Sequence, residues 1–262
     1  MKAEPAETPK VKPRINIPEG ALVILPLRNA VLFPSTIMPL VVGRPASLQA
    51  IEETVRQQLP VGFIGQRDPA VENPRPEDLY NIGTAADILR MFSLPDGQRQ
   101  IIAQGRRRFE IAEFLQIDPL LIARVTMVEE TIPQTKDFEA RIVNLRQEAS
   151  RALSLLPEPM NELKTTIERI EDPLMLIDMI ASTLDIPTAE KQELLATLDP
   201  VSRAQRVSEK LARQIEVVEL SKKIREETKD SMTKAQRQYF LREQLKAIQK
   251  ELGEEDGKAV EA

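Results

Sequence analysis

The chain has no cysteine, no histidine and no tryptophan, and aromatic residues make up only 3% of its 262 positions. Without cysteine there is no disulfide, no thiolate nucleophile and no zinc–sulfur site. Without histidine, the commonest general base and metal ligand are missing too. Scarce aromatics mean that any core must be aliphatic, and a hydrophobic fraction of 42% suffices for one. No apolar run approaches the ~18–20 residues of a membrane span. The N-terminus, MKAEPAETPKVKPR, lacks the apolar centre of a signal peptide and reads as a disordered tail over residues 1–20. The expectation is a cytoplasmic protein with no membrane partner. A formal charge of −5 disfavours a dedicated nucleic-acid binder, which usually carries a basic balance or stripe.

Glycine is present but unevenly placed. Seven of the nine glycines lie at or before Gly105, and none falls between Arg106 and Leu252. Tight turns need glycine, so residues 21–130 are predicted to be β-rich and the remainder helical. Strand-like runs are Ala21–Leu27, Ile37–Gly43, Val61–Arg67, Gly83–Leu94, Arg99–Gln104, Phe109–Phe114 and Leu120–Val128. The pair Asp96-Gly97 signals a hairpin. One helix is predicted from Pro45 to Leu59. From about Thr131 the apolar period becomes three or four. Phe138, Ile142, Leu145, Ala149, Leu153 and Leu156 mark one amphipathic helix, and Met160, Leu163, Ile167 and Ile170 a second. Asp172-Pro173 starts a third, Thr188 caps a fourth, and Asp199-Pro200 starts a fifth. That last helix runs unbroken to Leu252, because Val201–Leu252 holds neither proline nor glycine. The divisions are 131–200, a helical subdomain, and 201–262, a long helix.

Catalytic patterns are scarce. The nearest approach to a phosphate-binding loop, Gly253 to Ala259, is one residue short and has alanine where a hydroxyl is needed. No serine has an activating base in a glycine-framed turn. The acidic pairs, Glu129-Glu130 among them, read as solvated surface charge. Arg106-Arg107-Arg108 reads as a solvated turn or charged edge strand, with contact to phosphate or an acidic partner as the alternative. The segment Leu32 to Leu40 is apolar yet interrupted by Pro34 and Pro39. Phe33, Ile37, Met38 and Leu40 are therefore candidates for an apolar contact surface, or else they close the β core. On the last helix Leu241, Leu245, Ile248 and Leu252 step by four, three and four, as in a coiled-coil seam. Their partner is a helix of a neighbouring protomer or of the same chain.

Three segments resemble the N-terminal region of Lon-type ATP-dependent proteases of the bacterial kind. They are Leu25–Arg44, LPLRNAVLFPSTIMPLVVGR; Ile82–Gly97, IGTAADILRMFSLPDG; and Gln236–Glu254, QRQYFLREQLKAIQKELGE. The third is long and specific. The resemblance spans about Ala21 to Glu255. It implies an α+β fold: an N-terminal β-rich, PUA-like subdomain, then an α-helical bundle, then one very long C-terminal helix leading toward an AAA+ module. It also implies a role in recognising unfolded or damaged protein substrates and in organising a homohexamer. The family's ATPase and Ser–Lys protease motifs are absent from this sequence. The expectation is therefore a chain with no catalytic residues, no metal and no cofactor of its own, ATP and magnesium belonging to the family's AAA+ module. Two rivals are a nucleic-acid-binding PUA-like module and a self-standing protein-binding adaptor.

Overall fold

The computed structural model describes residues 17–95, 97–155 and 161–251, with some side chains of the last helix undescribed. Six strands come first. They are β1 (Ala21–Leu27), β2 (Ile37–Val42), β3 (Val61–Gln66), β4 (Leu79–Ser93), β5 (Arg99–Gln116) and β6 (Ile122–Met127). Helix α1 (Pro45–Gln57) lies between β2 and β3. The strand order is β2-β5-β4-β3-β1-β6, and β5 also pairs with β6. Strand β5 is long enough to serve two partners. Its first part, Arg99–Gln104, carries β2, and its second, Phe109–Gln116, carries β6. The sheet thus closes through β1, β3, β4, β5 and β6, and β2 is left as an outer strand.

The sequence split β5 into Arg99–Gln104 and Phe109–Phe114, because Gly105 and three arginines interrupt its apolar pattern. The backbone continues as one strand, with an irregularity in its pairing to β4 that leaves Arg106 without an opposite residue. A Cβ on Gly105 would sit 2.2 Å from the Phe33 carbonyl oxygen, so only glycine lets the Phe33–Thr36 loop approach here. That loop is pinned by Ser35 N–H donating to Gly105 O (3.0 Å) and Gly105 N–H donating to Thr36 O (2.9 Å). The β4–β5 turn places Gly97 at φ +82°, with Leu94 N–H donating to Gln98 O. Asp96 of that turn lies outside the described residues.

The helical part comprises α2 (Lys136–Leu155), α3 (Asn161–Arg169), α4 (Pro173–Thr183), α5 (Thr188–Ala196) and α6 (Pro200–Glu251). The Asp172 carboxylate caps α4 by accepting from Leu174 N–H (2.8 Å) and Met175 N–H. Thr188 does not cap α5: it is already the first helical residue, preceded by Pro187. Asp199 accepts from Ser202 N–H at 2.8 Å and opens α6. Leu156, Met160 and Leu252 lie outside the described residues.

Three apolar clusters form. One joins β1, β3, β5 and α1 around Ile51, Phe63 and Ile101. A second surrounds Phe109. The largest lies among α2–α6, and Val31, Phe33 and Ile82 of the β-rich part are built into it. The two halves of the molecule therefore share a core.

Helix α6 has 52 residues, roughly 78 Å at ~1.5 Å per residue. Its first turns bury Arg203, Ala204, Val207, Leu211 and Ile215, mainly against α2. From Leu220 onward every described side chain is exposed.

Candidate functional surfaces

Alternation along β2 decides what the Leu32–Leu40 segment does. Ile37, Pro39 and Val41 face outward, whereas Met38, Leu40 and Val42 face the core. Phe33 is fully buried among the helices. Of the four residues the sequence proposed for contact, only Ile37 stands exposed. Met38 and Leu40 are half-buried, and Phe33 is a core residue. Side chains of period two cannot all share one face. The structure also admits Pro39 into a strand, because β2 is an edge and its N needs no partner there.

The outward side chains belong to a larger surface. Ile37, Pro39 and Val41 pair with Gln104, Ile102 and Gln100 of β5. Ile102 and Gln100 pair in turn with Arg90 and Phe92 of β4. Ile37 is 59% exposed, Val41 58% and Phe92 45%. Three neighbouring strands thus present an apolar face with Ile102 at its centre and Arg90 as its cation. Edge strands are normally blunted by charge; β2 reads IMPLVV and carries none.

A second apolar feature is a groove of about 570 Å³ in the helical part, lined by Ala152, Leu153, Leu163, Ile167, Leu184 and Ile215 among others. Lys210 and Glu190, which are ion-paired, stand in its wall.

The three arginines are not an open basic patch. Arg106 pairs with Asp87, and Arg107 lies 3.5 Å from Glu129. Arg108 is fully buried where the strands meet the helices. Its guanidinium donates to both oxygens of Asp178 on α4 (2.6 and 2.8 Å), to Glu130 Oε2 (3.0 Å) and, through Nε, to Leu195 O on α5 (2.9 Å). Arg203 of α6, also fully buried, completes the set. Its Nη2 lies 2.6 Å from Glu130 Oε1, an ion pair poorly aligned for a hydrogen bond, and its Nη1 donates to Thr197 O. Two arginines and two carboxylates balance in charge. Burial alone lowers the pKa of Arg108, but Asp178 and Glu130 outweigh it and the net shift is upward. Glu130 is thus not surface charge, and Arg108 sits in neither a turn nor an edge strand.

On α6, Leu241 and Leu245 are exposed, at 53% and 58%. The side chain of Ile248 and all of Leu252 lie outside the described residues. Val217, Leu220 and Ile224 are exposed as well. Steps of seven connect Val217 and Ile224 to Leu245, and Leu220 to Leu241, so both apolar stretches share one heptad frame across a polar middle.

Among the described residues no group of three or more Cys, His, Asp or Glu is placed to hold a metal ion. No described helix is long and apolar enough to cross a membrane.

Residues 21–213 match the family described as ATP-dependent protease La (LON) substrate-binding domain. The chain is 43% identical over 243 residues to a Lon protease of Methylocella silvestris, and 39% identical over 246 residues to one of Dictyoglomus thermophilum. Those matches take 93% and 94% of this chain but only 30% and 31% of the relatives. The fold is similar to the N-terminal domain of a Mycobacterium avium complex Lon protease (TM-score 0.62, 19% identity, 73% of this chain and 98% of that one). It also resembles a Lon N-terminal domain protein from Xanthomonas campestris (TM-score 0.51, 18% identity, 71% and 96%). The chain belongs to the Lon substrate-binding domain family and spans about 30% of the length of the curated relatives it matches.

Proposed function

We propose that this chain is the substrate-recognising and oligomer-organising region of a Lon-type ATP-dependent serine protease that degrades misfolded, damaged and selected regulatory proteins. It is non-catalytic by itself and carries no cofactor. ATP and magnesium act in the AAA+ module of the family, and the complete assembly is a cytoplasmic homohexamer. The β-rich part is PUA-like. The observation that carries the reading is the outer face of β2, β5 and β4, where Ile37, Val41, Ile102 and Phe92 form an apolar surface on an edge without charge. Non-native chains share exposed apolar side chains rather than a sequence, so tolerant apolar contact is what their capture requires. The heptad frame on α6 supports self-association, and the buried Arg108–Asp178–Glu130–Arg203 cluster supports transmission of position from the head to that helix.

Fluorescence anisotropy with an unfolded, carboxymethylated model protein tests the capture surface. Val41→Asp with Phe92→Ser should weaken binding about tenfold or more without lowering the melting temperature materially, since both side chains are exposed. Unchanged affinity would remove this face from the reading. Nucleic-acid binding, the rival reading, is disfavoured because all three arginines of its basic cluster are already paired within the chain.

A further inference from the structure

A cleft of about 320 Å³ separates the ends of β1 and β2. Leu25, Pro26 and Leu27 line it from one side, and Leu40, Val41 and Val42 from the other. Consecutive strand residues point to opposite faces, so what three in a row share is their backbone edge. Both edges are free here. The last β1–β6 hydrogen bond is Ile24 N–H to Leu121 O, beyond which only the Pro26 carbonyl faces this side of β1, and β2 is an edge strand. The Thr36–Gly105 hydrogen bond sets the parity of β2, so the odd residues turn their backbone groups to the free side. Val41 N–H and C=O therefore face the cleft.

One end of the cleft is cationic. Arg28 and Arg44 line it, and α1 begins there. The start of α1 is unsatisfied: no side chain caps it, its first turn holds no acid, and Pro45 is its first residue. The amides of Ala46 and Ser47 thus have no partner within the helix at its positive end, and of the two residues Ser47 lines the cleft. Ser47 supplies an independent sign. It is only 8% exposed, lines the cleft, and its hydroxyl has no hydrogen-bond partner among the described residues. Arg44 donates once, to Gln66 Oε1 at 2.9 Å, and keeps further N–H groups. Burial, then the like charge of Arg28, lowers the Arg44 pKa, and Glu72 opposes this only in part.

Resting on the reading that this domain binds polypeptide, we propose that the cleft takes the C-terminal end of an extended chain. The terminal carboxylate meets Arg28, Arg44 and the α1 amides, and the last apolar side chain lies between Leu25, Leu27, Leu40 and Val42. The cavity is at the small end of the ~300–1,000 Å³ range of ligand pockets, which suits one terminal residue rather than a long segment. A single carboxylate matches a site of two arginines with Glu72 nearby, and backbone pairing along Val41 supplies orientation.

The test uses the whole chain and a fluorescent six-residue apolar peptide, as free acid and as C-terminal amide. The acid should bind at least tenfold more tightly than the amide. Arg44→Gln should erase that difference and Arg28→Gln should reduce it, with melting curves confirming that each variant is folded. Equal affinity for acid and amide overturns the proposal, as does a difference that survives in both variants. Inorganic phosphate that binds the cleft while neither peptide does overturns the carboxylate assignment. An unfolded protein with a blocked C-terminus should bind Arg44→Gln as it binds wild type. Were it to bind neither, the capture reading itself would fail.

Discussion

At the residue scale the molecule turns on Arg108. Removing one partner from a buried ionic cluster leaves uncompensated charge, which costs about 3–5 kcal/mol. Arg108→Met strands Asp178 and part of the demand of Glu130, and should destabilise the chain by that amount in urea denaturation. A loss under about 1 kcal/mol would mean the cluster is not the clasp between strands and helices. Its pH dependence follows from the sign of the shift. Arg108 has a folded pKa above its ordinary value, so its contribution is fully present below that ordinary value and is lost only as pH rises through the folded pKa. It cannot cause acid sensitivity. Asp199 behaves oppositely. Hydrogen bonds from Ser202 hold its pKa below the ordinary 3.8. Its support for the start of α6 is present above 3.8 and fades as pH falls through the lower folded value. Hydrogen exchange should show the amides of Val201 and Ser202 losing protection below about pH 4, before those of Leu211 and Ile215. Uniform loss along the helix would contradict this.

At the element scale, much was legible and the failures have physical causes. Strand β1 and helix α1 follow from apolar runs bounded by glycine and proline, and α4 and α6 from Asp-Pro starts. The proposed capture surface was half legible. Reading Phe33, Ile37, Met38 and Leu40 as one patch ignored the two-residue period that sends Met38 and Leu40 inward, and Phe92 and Ile102 come from distant sequence. The buried cluster was missed because Arg108 hides among exposed arginines and Glu130 beside exposed Glu129. A usable sign existed: Asp178 is the lone charge in the apolar helix PLMLIDMIAST, and an acid there requires a cationic partner. The far half of α6 makes its own prediction. Burying an exposed leucine is worth roughly 1.5–3 kcal/mol, so Leu241→Asp with Leu245→Asp should weaken self-association at least tenfold in sedimentation velocity, with the head still folded. A strictly monomeric wild type at high concentration, or equal association of the variant, would rule out the seam as an interface between protomers.

At the scale of the whole molecule, a β-rich head and a helical part share one core, and a helix of roughly 78 Å leaves it. Two apolar surfaces compete for the capture role: the outer face of β2, β5 and β4, and the groove lined by Leu153, Leu163 and Ile215. The first lies on an edge with free backbone groups; the second is walled by packed helices. The most direct measurement is paramagnetic relaxation enhancement, with a spin label on an unfolded model protein and methyl-labelled wild-type chain. Selective broadening of Ile37, Val41 and Ile102 methyl signals, sparing Leu153, Leu163 and Ile215, is the predicted result. Broadening confined to the groove methyls, with the Ile37, Val41 and Ile102 signals unchanged, would contradict the assignment of capture to the sheet.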